Sequence, residues 1–148
     1  MRYFAYGSNM DPERMKERGI QFSKREHAIL KGFRLEFNKI TNRNTNEGKA
    51  NIVDDDEKSL EGILYEIKDN DLEKLDKYEG CPKHYTKKDV NVILDNGKTV
   101  EAITYIAQPN MTRKGLKPTR EYLIHLLRGC DLLSKEYCEM LKKVETLD

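Results

Sequence analysis

Tyr3-Phe4-Ala5-Tyr6-Gly7-Ser8-Asn9, followed past Met10 by Asp11-Pro12-Glu13, is the stretch on which the reading of this chain turns. An aromatic-rich strand runs into a Gly-Ser-Asn turn. Asp at the N-cap and Pro at the first helical position then start a helix. Strand, tight turn and helix together leave the backbone N–H groups of Gly7, Ser8 and Asn9 beside a helix N-terminus, where an anion is favoured. A small carboxylate is the natural guest, although Gly7-Ser8-Asn9 taken alone is also the composition of an ordinary turn.

Outward from this run, period-two patterns recur. Phe33, Leu35 and Phe37 alternate with Arg34 and Glu36, the mark of a half-buried strand. Residues 50–53 and 62–67 read as two further strands separated by an acidic turn, Asp54-Asp55-Asp56. Val90, Val92 and Leu94 lead to Asp95-Asn96-Gly97, a strong hairpin signal, with residues 100–106 returning. Helices are predicted from Pro12 to about Gly19, over 71–79 with Asn70 and Glu73 as a capping box, over 119–128, and after Ser134. The 41–48 stretch is polar throughout and reads as a mobile loop, a candidate lid, and 108–118 reads as irregular. The expectation is a single α+β domain over 1–148 with a mostly antiparallel sheet.

Composition narrows the function classes. A formal net charge of +1 argues against a dedicated nucleic-acid binder. No run of about 18 apolar residues exists, so no membrane span is expected. The chain begins with a strand and no signal-peptide core, which points to a cytoplasmic location. Three cysteines, Cys81, Cys130 and Cys138, lack a C-x-x-C spacing and read as reduced thiols. His27, His84 and His125 show no ligand spacing, so no metal is expected. Tyr122, Tyr137 and Met140 read as core residues, and Lys87-Lys88 and Lys142-Lys143 as solvated faces.

Glu79 is out of place. With about 100° per residue, Leu72 and Leu75 set the apolar direction of their helix, and Glu79 falls in the middle of that face. Gly80 follows as a natural helix terminator. Burial and the negative end of the helix dipole would both raise the carboxyl pKa from about 4.3, making it a proton acceptor and donor near neutral pH. A frayed last turn would instead leave Glu79 in water.

Tyr3-Phe4-Ala5-Tyr6-Gly7-Ser8-Asn9 together with Leu75-Asp76-Lys77-Tyr78-Glu79-Gly80 resembles the γ-glutamylcyclotransferases. The likeness continues through residues 30–38, 48–52, 61–65 and 118–144, and so covers nearly the whole chain. The resemblance implies a small mixed, mostly antiparallel β-barrel, closed or nearly closed, with flanking helices. It implies cyclisation of the γ-glutamyl group of a γ-glutamyl amino acid or amine to 5-oxoproline, with release of the free amino acid or amine. No metal, cofactor or covalent intermediate is implied. Glu79 matches the catalytic Glu, and Tyr3, Phe4, Ala5, Tyr6, Gly7, Ser8, Asn9 and Tyr105 match substrate-contacting positions. Glutathione-specific relatives typically carry Leu where this chain has Asn9, which leans the reading away from glutathione.

Two other readings stand beside it. Cys81 and His84 lie three residues apart around Pro82, the bare elements of a thiol nucleophile but with no third orienting group. A non-catalytic binding module for a small amino-acid-like carboxylate is the second. The expected partner is a small γ-glutamyl compound, with neither nucleic acid nor membrane, and the oligomeric state stays open, a homodimer included.

Overall fold

The opening run forms the seam of a barrel. In the computed structural model, which describes residues 1–41 and 46–148, strand β1 spans Arg2–Ala5. The strands that follow are β2 (Phe22–Lys39), β3 (Lys49–Ile67), β4 (Tyr85–Leu94) and β5 (Thr99–Ala107). β1 lies antiparallel to β3 and meets β5 in parallel, with Tyr3 opposite Ile103, which closes a barrel in the order β1-β3-β2-β4-β5. Every other strand pair is antiparallel. The mixed, mostly antiparallel barrel with flanking helices is therefore the fold.

The strand lengths differ from the sequence reading. Residues 50–53 and 62–67 belong to one strand of 19 residues, and the alternating 33–37 segment to one of 18 residues. Asp54-Asp55-Asp56 is no turn between strands. Lys31 pairs with Ser59 and Phe33 with Asp54, so residues 55–58 bulge opposite the single residue Gly32, whose φ of +87° suits glycine. Arg34 neutralises part of the acidic run, bonding Glu36 at 2.8 Å and Asp55 at 3.4 Å. The ribbon there is too exposed to alternate apolar and polar residues, which is why it resembled a turn.

The core fills the barrel and the space beneath the helices. Phe4, Ile63, Tyr65, Leu75, Leu126 and Leu141 are completely or almost completely buried. A Cβ on Gly62 would stand 2.6 Å from the Phe4 ring, so that glycine lets the ring close over β3. The β4–β5 hairpin turns through Asp95-Asn96-Gly97, with the Leu94 N–H donating to the Lys98 carbonyl at 2.9 Å and Gly97 at φ +86°.

Helix α1 spans Pro12–Glu17, capped by Asp11, whose carboxylate accepts from the Glu13 N–H at 3.0 Å. The same carboxylate, 1% exposed, also accepts from His125 at 2.8 Å and Arg128 at 3.2 Å. It thereby ties helix α3 (Arg120–Leu127) to the opening turn. Helix α2 covers Leu72–Glu79. Its expected capping box does not form: the chain enters through a 3₁₀ turn, Asp69–Asp71, and the Asp71 carboxylate instead accepts from the Gln21 N–H and pairs with Lys74. Thr119 caps α3 and Ser134 caps α4 (Lys135–Lys142), each side chain accepting from Tyr122 and Tyr137 N–H respectively.

Two smaller expectations are corrected. Cys130 and Cys138, read as reduced thiols, are joined in a disulfide, because the turn at Gly129 and the Ser134 cap bring the ends of α3 and α4 to a Cα–Cα distance of 5.8 Å. Met140, read as core, is 41% exposed on the outer side of α4. Of the polar 41–48 loop, residues 42–45 lie outside the described residues, so the lid does too. Among the described residues no helix is long and apolar enough to cross a membrane.

Candidate active site

Past β1 the chain makes a 3₁₀ turn at Ser8–Met10. The Met10 N–H donates to the Gly7 carbonyl at 3.0 Å and the Asp11 N–H to the Ser8 carbonyl at 3.2 Å. The N–H groups of Gly7, Ser8 and Asn9 take no part in that ladder, as at the start of any helical turn. Gly7 also lets the turn lie close on its neighbours, since a Cβ there would stand 3.1 Å from the Ala50 Cβ and 3.2 Å from the Tyr122 hydroxyl.

This turn forms one wall of a cavity of about 290 Å³, and Glu79 stands on another. Glu79 is the last residue of α2, which ends at Gly80 in the left-handed region with φ 61° and ψ 36°. The last turn does not fray. Asn9 joins the walls: its Nδ2 donates to Glu79 Oε1 at 3.2 Å and to the Tyr3 hydroxyl at 3.0 Å, while its Oδ1 accepts from Arg18 at 2.9 Å. The Arg18 guanidinium in turn covers the Tyr78 ring at 4.8 Å. Burial pushes the Glu79 carboxyl above the usual carboxylate range, and Arg18, Lys49, Arg14 and Lys39 pull it back only in part.

Of the residues singled out in the sequence, Tyr3, Tyr6, Gly7, Ser8, Asn9, Glu79 and Tyr105 all line this cavity. Phe4 and Ala5, expected beside them as substrate contacts, do not. Strand alternation turns Phe4 to the opposite face from Tyr3, where it is fully buried, and the Phe4 carbonyl accepts from the Thr104 hydroxyl. Ala5 is short and buried in the pairing of β1 with Ile63 of β3. The Tyr6 hydroxyl donates to the Tyr105 carbonyl at 2.6 Å, and the Tyr105 hydroxyl to Asp76 at 2.6 Å, with Lys87 on the other Asp76 oxygen at 2.9 Å. Burial raises the Tyr105 pKa and the adjoining Asp76 carboxylate adds to it, so the hydroxyl stays a donor.

The sequence reading missed the basic side chains of the cavity: Arg14, Arg18, Lys39, Lys49 and Lys77. A signal for two of them was present, since Arg14 and Arg18 are four apart and share one face of α1 and its C-cap. Lys39 and Lys49 meet only across a hairpin. Tyr85 and Tyr122 were missed as well, the latter read as core alone. Their hydroxyls bracket Ala50, Tyr85 donating to its carbonyl at 2.7 Å and Tyr122 accepting from its N–H at 3.1 Å. Arg14 Nε and His84 Nδ1 are buried without a hydrogen-bond partner among the described residues. His84 lines the cavity but Cys81 does not, so the pair is not presented there as a thiol and its base. Among the described residues no three His, Cys, Asp or Glu side chains cluster as metal ligands.

An aminated carboxylic acid fits this arrangement: N–H donors on one wall, a carboxylate of raised pKa on the other and hydroxyls between. Known proteins resemble the chain as a whole. The Bacillus subtilis (strain 168) protein YkqA is 30% identical over 146 residues, which are 95% of this chain and 50% of YkqA. This chain thus spans half the length of that relative. The Gamma-glutamylcyclotransferase of Homo sapiens is 29% identical over 153 residues, covering 99% of this chain and 79% of the human protein. Among solved structures, one named Gamma-glutamyl cyclotransferase superposes with a TM-score of 0.88 at 27% identity, over 100% of this chain and 89% of that one. Residues 3–123 match the sequence profile described as Gamma-glutamyl cyclotransferase, AIG2-like, and the chain belongs to that family.

Proposed function

We propose that this protein cyclises the γ-glutamyl group of a small γ-glutamyl compound to 5-oxoproline and releases the attached amine or amino acid. The observation that carries the reading is Glu79, with its raised pKa, held by Asn9 at 3.2 Å across the cavity from the Gly7–Asn9 turn. The N–H groups of that turn would hold the α-carboxylate of the glutamyl unit and set its α-ammonium toward Glu79. Glu79 takes a proton from the ammonium, and the freed amine attacks the γ-carbonyl carbon of the same glutamyl unit. A C–N bond forms and closes the five-membered ring. The amide C–N bond then breaks as the proton held by Glu79 passes to the departing nitrogen; the ring nitrogen gives up its second proton through Glu79, and the freed amine takes it and leaves as its ammonium. The reaction is intramolecular, so fixing amine and carbonyl in one geometry supplies a large part of the acceleration. Tyr105, whose hydroxyl is anchored on Asp76, would line the path of the glutamyl side chain. The chain acts in this scheme as one domain, since β1 and β5 must pair to close the barrel around the site.

The test is a panel of γ-glutamyl compounds incubated with the protein, with 5-oxoproline read by mass spectrometry. Release from at least one compound, abolished by Glu79→Gln, supports the reading. Binding without release from any compound would leave a carboxylate-binding module instead.

A further inference from the structure

Lys39 and Lys49 stand directly opposite one another in the antiparallel pairing of β2 with β3. Like charges in that relation repel and weaken a sheet. Both nevertheless line the cavity. Lys39 is only 5% exposed and Lys49 is half-buried. Their ammonium groups lie over tyrosine rings of the same cavity, Lys39 at 5.4 Å from Tyr85 and Lys49 at 5.4 Å from Tyr122. Lys39 also donates to the Ile40 carbonyl. Among the described residues, the ion pairs of 4 Å or less involve other cations and include neither of these lysines.

The scheme above uses the turn for one carboxylate and Glu79 for one ammonium, and Arg18 is already committed to Asn9. The two lysines enter it only as charges that partly offset the raised Glu79 pKa, and neither is given a substrate group to hold. We propose that Lys39 and Lys49 form a second anion subsite, which takes a carboxylate on the leaving half of the substrate. The compounds cyclised are then γ-glutamyl amino acids in preference to γ-glutamyl amines that lack this group. The inference rests on the cyclotransferase reading and narrows it. A carboxylate set between two ammonium groups relieves their repulsion and gains charge-assisted hydrogen bonds in a partly desolvated wall. A neutral leaving group leaves the repulsion in place, so the pair selects by penalty as well as by attraction.

γ-Glutamylalanine and γ-glutamylethylamine differ by that one carboxylate and serve as the probes. The native protein should turn over the alanine compound with a kcat/KM roughly tenfold higher or more. Lys39→Met and Lys49→Gln should each bring the ratio toward one. Because the ratio is taken within each variant, the folded fraction cancels. Equal kcat/KM in the native protein, or a preference that survives both substitutions, overturns the subsite and leaves the cyclotransferase reading standing. No 5-oxoproline from either probe or from any other compound of the panel overturns that reading instead, and calorimetric binding of the two probes then decides the subsite. Tighter binding of the alanine compound, lost in both variants, supports it; equal binding or none overturns it.

Discussion

The Asn9–Glu79 end of the cavity, where the proposed glutamyl group would sit, and its lysine end are built on opposite principles. At the first, Asn9 meets Tyr3, Glu79 and Arg18 at once, and Arg18 rests on Tyr78. At the second, two like charges face each other across a hairpin with aromatic rings beneath them. At the first, side chains hold one another in place; at the second, neither lysine has an ion-pair partner of 4 Å or less among the described residues. In the proposed reaction, the contrast teaches that chemistry and leaving-group recognition would be served by different kinds of wall: the proton carrier by a fixed partner, and the second anion by two unpaired cations.

Breaking the ordered end should do the greater damage. Glu79→Gln should lower kcat for 5-oxoproline release about 10²- to 10⁴-fold. Its thermal midpoint at pH 7, followed by circular dichroism, should hold or rise, because folding disfavours the ionised form of a carboxyl whose pKa it raises. Asn9→Ala should reduce kcat about ten- to a hundredfold, as Glu79 loses its fixed donor. In the native protein the acidic limb of the kcat/KM profile should lie above the ordinary Glu value of about 4.3. Loss of the Asn9 donor should move that limb to still higher pH.

The frame behind the ordered end can be broken separately. Asp11→Ala removes a helix cap and leaves His125 and Arg128 without their acceptor, and should cost about 2–4 kcal/mol in a denaturant titration. Burial pushes the Asp11 carboxyl up, but His125, the Glu13 N–H and Arg128 together hold it below the usual range. Its contribution is thus present above the ordinary Asp value of about 3.9 and is lost as pH falls through the lower folded value.

The smallest effect lies away from both ends. Burial lowers the His27 pKa, yet hydrogen bonds with Asp95 and Glu61 outweigh it and hold the imidazole above its ordinary value. That contribution is full below about pH 6.5 and disappears as pH rises through the raised folded value. Thermal midpoints of His27→Gln and the native protein should therefore differ at low pH and converge at high pH. Turnover should not follow this substitution, which makes the variant a control for the other three.

Much of the ordered end was legible because its signals are local. Gly7-Ser8-Asn9, the Asp11-Pro12 start and Gly80 declare themselves within a few residues. Glu79 showed through helical periodicity, since one angle on a wheel suffices to place it among leucines. The lysine end was invisible for the converse reason. Lys39 and Lys49 are ten positions apart and ordinary in composition, and only the register of β2 on β3 brings them together. The acidic run 54–56 misled because charge on an exposed ribbon resembles charge in a turn, and the bulge opposite Gly32 leaves no periodic trace. The disulfide was illegible because a spacing of eight residues reports no distance until two helices are packed.

The contact between Tyr3 and Ile103 joins residues about one hundred positions apart, and Asp11 reaches still farther, to His125 and Arg128. Such long-range closures are slow to form. On the ribosome the Gly7–Asn9 turn emerges before the strand and the helix that close on it, so its barrel and its clamp must await β5 and α3. Any truncation short of α3 leaves the turn without its clamp, so competence for ligand should appear late and all at once rather than grow with length.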